Sequence, residues 1–84
     1  MISNNEITAV LEDIYFAIKH RRRELRPQDR IVEDLAVDSL DAVDLMVALE
    51  QRYDIQLIDD PQAADVVTIS DLMDLLTSAI TAKA

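Results

Sequence analysis

The stretch DSLDAVDLMVALEQRY, residues 38–53, decides the fold because its apolar side chains repeat on two faces of a helix. At about 100° per residue, one stripe gathers Ala42, Leu45, Met46, Leu49 and Tyr53. A second stripe begins beside the hydroxyl of Ser39 and consists of Leu40, Val43 and Val47. A surface helix needs only one apolar face to join a core. The second stripe therefore predicts a docking surface next to a modifiable serine.

Two helices are predicted in the first part of the chain. The first begins at the capping-box spacing of Ser3 and Glu6 and ends near His20. Its core-facing side chains recur at helical spacing and comprise Ile7, Val10, Leu11, Ile14 and Ile18. The second helix covers residues 39–52, with Asp38 as its N-cap because aspartate accepts hydrogen bonds from the unpaired N–H groups at a helix start.

Two more helices are predicted in the second part of the chain. Asp60 followed by Pro61 is typical of a helix start and predicts a short helix that ends near Asp65. Thr68 or Ser70 can cap the last helix. The buried face of that helix should comprise Ile69, Leu72, Met73, Leu76 and Ile80.

The segment between the first two helices, residues 21–38, shows no sustained period. Pro27 interrupts it, and three apolar residues can anchor it to a core, namely Leu25, Ile31 and Leu35. A loop of this length in a small domain usually has a functional or packing role. Together the elements predict one all-α domain over residues 1–84, a small antiparallel helical bundle of three main helices plus one short helix.

The composition excludes several kinds of site. The 84 residues include no glycine and no cysteine. Standard phosphate-binding loops, dinucleotide fingerprints and EF-hands need glycine, whereas disulfides and thiolate metal sites need cysteine. The N-terminus lacks the layout of a signal peptide, and no apolar run is long enough to span a membrane. We therefore expect a cytoplasmic protein without membrane insertion.

Charge is distributed unevenly along the chain. Residues 1–30 carry a net charge of +1 and residues 31–84 a net charge of −10, within a total of −9. An acidic body repels nucleic acid and anionic membranes, and it attracts proteins with basic surfaces. Solubility alone is the simpler explanation of the same charge. The charge therefore favours a protein partner over nucleic acid without identifying one.

The chain offers few groups for catalysis. His20 is the only histidine, and a solvated surface residue is a simpler interpretation than a base for a nucleophilic serine. The carboxylate pairs Asp59–Asp60 and Asp38–Asp41 could act as acid and base only in a cleft that shifts their pKa values. Helix caps and a solvated face explain these pairs better. We expect neither intrinsic catalysis nor a metal site.

The region around Ser39 resembles the central motif of acyl carrier proteins. The similarity lies in EDLAVDSLD at residues 33–41, VDL at 43–45 and ALE at 48–50. YDIQL, residues 53–57, resembles the segment that leaves the second helix in that family. The resemblance extends through the last helix and covers essentially the whole chain.

The resemblance implies a carrier rather than an enzyme. In the family, a phosphopantetheinyl transferase attaches a phosphopantetheine arm from coenzyme A to the serine that matches Ser39, beside the motif acid that matches Asp38. The thiol of the arm carries acyl groups as thioesters. An imported thiol suits a chain without cysteine, and a phosphodiester is favourably placed at a helix N-terminus.

The resemblance also implies a partner-facing surface on the second helix, formed by Leu40, Asp41, Val43, Asp44, Val47 and Glu50. Basic surfaces on ketosynthases, acyltransferases or ligases and reductases would meet its carboxylates, and each exposed charge pair would contribute about 0–1 kcal/mol. A monomer that docks briefly with several enzymes is expected. The family's core, which can open around an attached chain, matches Leu45, Leu49, Ile55, Leu57, Ile69, Leu72 and Leu76.

Three features depart from the family's pattern. Ala36 stands where glycine is common, and a positive φ there would strain alanine by about 1–2 kcal/mol, so a slightly altered loop is expected. Arg52 interrupts the acidic run of the second helix, and the arginines at 21–23 make the first loop basic. These arginines either offset the acidic body or select partners. The differences favour a dedicated carrier for polyketide, modified fatty-acid or lipid synthesis at least as much as the housekeeping fatty-acid carrier.

Two alternatives use the same helices differently. A stand-alone aminoacyl or peptidyl carrier would load amino acids through Ser39, although the acid before this serine and the lack of a glycine-rich lead-in count against it. An unmodified helical interaction module would dock partners through the second apolar stripe alone. The intact motif around Ser39 argues against that loss of carrier function.

Overall fold

Three α-helices and one short 3₁₀ helix are formed by the residues that the structure describes. The computed structural model describes residues 4–57 and 61–83. It contains α1 (Asn4–Lys19), α2 (Ser39–Tyr53), the 3₁₀ helix η1 (Pro61–Asp65) and α3 (Ile69–Lys83). Within these ranges the only extended pairing is an isolated antiparallel bridge between Arg30 and Thr68. The predicted all-α fold of three main helices plus one short helix is confirmed.

The buried face of α1 differs from the predicted stripe. Ile7 and Leu11 are buried as expected, but Tyr15 is the third buried residue, whereas Val10 and Ile14 are only partly buried. The Tyr15 hydroxyl donates a hydrogen bond to the carbonyl of Leu35, at 3.2 Å. A tyrosine can be buried when its hydroxyl finds a partner, and here that partner lies in the loop after α1.

Thr68 caps α3, as one of the two predicted options. The backbone N–H of Asp71 donates to Thr68 Oγ1 at 3.1 Å, and the N–H of Thr68 donates to Asp71 Oδ2 at 3.1 Å. This reciprocal pair satisfies N–H groups that have no partner within the helix. Hydrogen bonds from the N–H groups of Thr68 and Val67 also lower the pKa of the Asp71 carboxyl. Ser70 instead donates its backbone N–H to the carbonyl of Pro27.

The core of the last part of the chain follows the predicted pattern with one addition. The buried residues of α3 are Ile69, Leu72, Met73, Leu75 and Leu76. Leu75 was not expected on this face, and Ile80 is only partly buried. Ile55 and Leu57, which follow α2, are buried as predicted.

The long loop between α1 and α2 is held by a buried carboxylate as well as by apolar anchors. The predicted anchors Leu25, Ile31 and Leu35 are buried. Asp29 is also buried: its Oδ2 accepts from the N–H of Arg26 at 2.8 Å, and its Oδ1 pairs with Arg23 Nη2 at 3.3 Å. The carbonyl of Asp29 accepts from the N–H of Ile69, which ties the loop to the start of α3.

Two of the three consecutive arginines at 21–23 make contacts with other side chains of the domain. Arg23 pairs with Asp29, and the guanidinium of Arg22 lies 4.6 Å from the centre of the Phe16 ring, a distance typical of a cation–π contact. Predictions about Ser3, Asp59 and Asp60 lie outside the described residues.

Candidate functional site

Ser39 is the first residue of α2, and Asp38 caps that helix. The N–H of Asp41 donates to Asp38 Oδ1 at 2.9 Å, and Asp38 itself has extended backbone angles, as an N-cap should. The predicted cap is confirmed. The Ser39 side chain is exposed, so its hydroxyl is accessible at the positive end of the helix dipole.

An apolar cavity of about 510 Å³ opens beside Ser39. Its volume lies within the range of small-molecule pockets. Ser39 and Asp38 lie on its wall, and the other described residues that line it are apolar: Ile31, Val32, Val37, Ala42, Leu45, Met46, Ala63, Val66, Leu72 and Leu75. The site therefore joins an exposed hydroxyl to an apolar space between α2, η1, α3 and the first loop.

The cavity explains why much of the first apolar stripe of α2 is not fully buried. Leu49 is completely buried, as expected for a core residue. Ala42, Leu45 and Met46 pack against the core but are only partly buried, and all three line the cavity. The periodicity that predicted a core face is the same for a cavity wall, so the sequence alone could not separate the two.

The second apolar stripe of α2 is on the surface. Leu40 is 77% exposed, Val43 53% and Val47 38%, and Asp44 is exposed beside them. Three large apolar side chains on one exposed face of a small domain are typical of an interaction site. Their role in partner docking stays a prediction.

Two acids of the predicted partner-facing surface are bound within the chain. Asp41 Oδ2 forms a salt bridge with Lys19 Nζ at 2.8 Å, and the hydrogen bond from Lys19 lowers the pKa of the Asp41 carboxyl. Glu50 is partly buried, and its Oε2 accepts from the N–H of Leu57 at 2.7 Å. Their role in partner docking stays a prediction, and the structure adds that each of them has a contact within the chain. The Asp41 contact depends on how α1 packs beside α2, and the Glu50 contact depends on the path of the chain after α2. Helix periodicity gives no information about either.

The loop before Ser39 keeps a left-handed turn. Ala36 has φ of 56°, a conformation that strains a residue other than glycine, and the expectation that this loop differs from the family's stays a prediction. Its carbonyl accepts a hydrogen bond from Lys19 Nζ at 3.0 Å, and the flanking residues Leu35 and Val37 are buried. These neighbouring contacts hold the strained residue in place.

Ala36→Gly is expected to stabilise the fold. Glycine adopts positive φ without the strain of about 1–2 kcal/mol that alanine carries there, but it loses about 0.4–1 kcal/mol through the greater freedom of the unfolded chain. The free energy of unfolding should rise by about 0.5–1 kcal/mol, measured by urea denaturation. Ala17→Gly, at an exposed position within α1, is the control and should lower stability by about 0.5–1 kcal/mol. Equal losses in both variants would show that Ala36 is not strained.

These features place an exposed serine at the start of a helix and beside an apolar cavity. A family model described as "Phosphopantetheine attachment site" matches residues 18–76, which include Ser39, all of α2 and the first half of α3. The chain belongs to the acyl carrier protein family. Phosphopantetheine, the cofactor that the resemblance implies, is the group for which this family provides the attachment site. The family consists of carriers, as predicted, and not of enzymes.

Similar proteins from three bacteria bear the same family name. The acyl carrier protein of Sulfurovum sp. (strain NBC37-1) is 46% identical over 48 residues, which cover 57% of this chain and 63% of the relative. That of Helicobacter hepaticus is 42% identical over 50 residues, covering 60% and 64%. That of Syntrophobacter fumaroxidans is 40% identical over 52 residues, covering 62% and 63%. The matched part of the chain thus spans less than two thirds of each relative's length.

None of the helices in the described part of the chain has the length and apolar character needed to cross a membrane.

Proposed function

We propose that Ser39 carries a phosphopantetheine arm and that the chain delivers apolar acyl groups, held as thioesters on that arm, to biosynthetic enzymes. The observation that carries this proposal is the position of the exposed Ser39 on the wall of an apolar cavity. The family match supports the attachment chemistry. The cavity supports the apolar cargo.

The residues around Ser39 suit a phosphodiester. The group would lie at the start of a 15-residue helix, where unpaired N–H groups and the helix dipole favour an anion. Asp38 Oδ1 already accepts from one of these N–H groups, that of Asp41. The phosphodiester would therefore interact with the others. When attached, the arm supplies the thiol that this chain lacks.

The cargo is proposed to be a fatty or polyketide-like acyl chain and not an amino acid. Apart from Asp38 and Ser39, the lining residues that belong to the described ranges 4–57 and 61–83 are apolar. An α-ammonium group placed among the apolar residues, away from Asp38, would lose its hydration without gaining a partner, which is unfavourable. An aminoacyl carrier would therefore have to keep its cargo outside the cavity.

Partner enzymes are proposed to dock on the exposed stripe of α2 through Leu40, Val43 and Val47, with Asp44 as an acidic contact. The phosphopantetheinyl transferase is the first of these partners, and ketosynthases, acyltransferases or ligases and reductases are the others. Their basic surfaces would complement the net charge of −9. Because Arg52 interrupts the acidic run of α2 and the first loop is rich in arginine, we favour a dedicated carrier of a specialised pathway.

The proposal is tested by mass spectrometry of the intact protein. The purified chain is incubated with coenzyme A and a broad-specificity phosphopantetheinyl transferase, and we expect a mass gain equal to one phosphopantetheine. Loading with octanoyl-coenzyme A should give the larger gain of the acylated arm. If the folded protein gains no mass with an active transferase, including that of its own host, the carrier function is wrong and the unmodified interaction module is the better explanation.

A further inference from the structure

The acids at the docking end of α2 do not present equal charges to a partner. Asp44 is exposed, and the structure gives it no hydrogen bond or ion pair among the described residues. Asp41 is only 20% exposed and forms a salt bridge with Lys19, while Glu50 accepts from the N–H of Leu57. A basic protein that docks here therefore finds Asp44 without a contact among the described residues, whereas Asp41 is already paired with Lys19.

Lys19 reaches Asp41 from the end of another helix. It is the last residue of α1, and its Nζ lies 2.8 Å from Asp41 Oδ2 and 3.0 Å from the carbonyl of Ala36. These two acceptors lie on either side of Ser39 in the chain. The ammonium group thus joins the loop before the attachment serine to the first turn of α2, and 27% of the Lys19 side chain is exposed.

The salt bridge lowers what a partner can gain at Asp41. Partly exposed ion pairs are weak in water, so a partner can displace Lys19 at small cost. An arginine from the partner, however, then replaces an existing ion pair instead of forming a new one. The mutual hydrogen bond lowers the pKa of Asp41 and raises that of Lys19, so both groups are charged at neutral pH.

We propose that Lys19 is a specificity-determining residue, which weakens docking of basic enzyme surfaces at Asp41 and leaves Asp44 and the apolar stripe as the main contacts. This proposal rests on the docking surface in the proposed function. Partners that require Asp41 are then disfavoured relative to partners that use Asp44 and Leu40. The carrier thereby limits which basic surfaces bind well, although its total charge attracts them all.

The test measures KM and kcat for modification of the unmodified protein by a broad-specificity phosphopantetheinyl transferase. Lys19→Gln should lower KM by about twofold to fivefold, equivalent to an exposed ion pair of up to about 1 kcal/mol, with kcat unchanged. The gain should vanish in the Asp41→Asn background and shrink as salt is added. Arg21→Gln removes the same charge at a nearby exposed position and should change KM less than Lys19→Gln does.

A second measurement separates this role from a structural one. NMR titration should show that the pKa of the Asp41 carboxyl rises toward its ordinary value in Lys19→Gln, while circular dichroism shows the same helix content. If wild type is modified but Lys19→Gln leaves KM unchanged or raises it, or lowers kcat equally with and without Asp41→Asn, the proposal is wrong and the proposed function stands. If wild type gains no phosphopantetheine at all, both are wrong.

Discussion

Ser39→Ala is expected to abolish the mass gain that wild type shows with coenzyme A and a phosphopantetheinyl transferase. The reason is chemical, because alanine has no oxygen to which the phosphate can be joined. The measurement is the intact mass of both proteins after the same incubation. Because Ser39 is exposed, its replacement should change the stability of the fold by no more than about 0.5 kcal/mol, so loss of folding does not explain the expected result.

Ser70→Ala is the matched control for Ser39→Ala. Ser70 is an exposed serine in the first turn of α3, as Ser39 is in the first turn of α2, but its surroundings lack the exposed apolar stripe. This variant should gain the same mass as wild type. A gain that persists in Ser39→Ala and disappears in Ser70→Ala would move the attachment site to α3 and contradict the assignment made from the motif.

The local signals in the sequence were sufficient for the helices and their caps. Residue type and spacing predicted Asp38 as one N-cap and Thr68 as one of two candidates for the other, and each accepts a hydrogen bond from a backbone N–H three residues later. The sequence also predicted that α2 begins at Ser39, and this residue is the first of the helix and exposed. These features depend on neighbours within one helical turn, which a single sequence contains.

The cavity could not be predicted because it depends on the distance between elements. Leu45 and Met46 have the helical spacing of core residues, yet they line a cavity. Its other walls are formed by the first loop, η1 and α3. Whether opposite side chains meet or leave a gap is decided by how the helices pack. Periodicity identifies the face that turns inward and gives no information about what fills it.

The contacts of Lys19 were missed for a related reason. It is separated from Asp41 by 22 residues and from Ala36 by 17, and only the packing of α1 beside α2 brings these groups together. The resemblance pointed to Asp41 as a partner contact because it compared positions along α2. It contained nothing about a lysine on another helix that is already bound there.

The cavity predicts that a long acyl chain stabilises the protein more than a short one does. Octanoyl has six more methylenes than acetyl, and their complete transfer from water would contribute about 5 kcal/mol at about 0.8 kcal/mol each. Because the cavity is partly open to solvent, we expect the octanoyl form to exceed the acetyl form in free energy of unfolding by only about 2 kcal/mol. For a domain of this size that corresponds to a rise in Tm of roughly 8–16 °C, measured by thermal denaturation of the two loaded proteins.

Ala63→Leu and Ala64→Leu show whether the cavity causes this rise. Both residues are in η1, but Ala63 lines the cavity whereas Ala64 is exposed. A larger side chain at 63 occupies the space that the acyl chain needs, so the difference in Tm between octanoyl and acetyl forms should shrink by at least half, while Ala64→Leu should keep it. Hydroxylamine, which cleaves the thioester, should return every form to the Tm of the unloaded arm. An octanoyl effect that is equal in both variants would mean that the chain lies on the surface, and the apolar cavity would then have no part in holding the cargo.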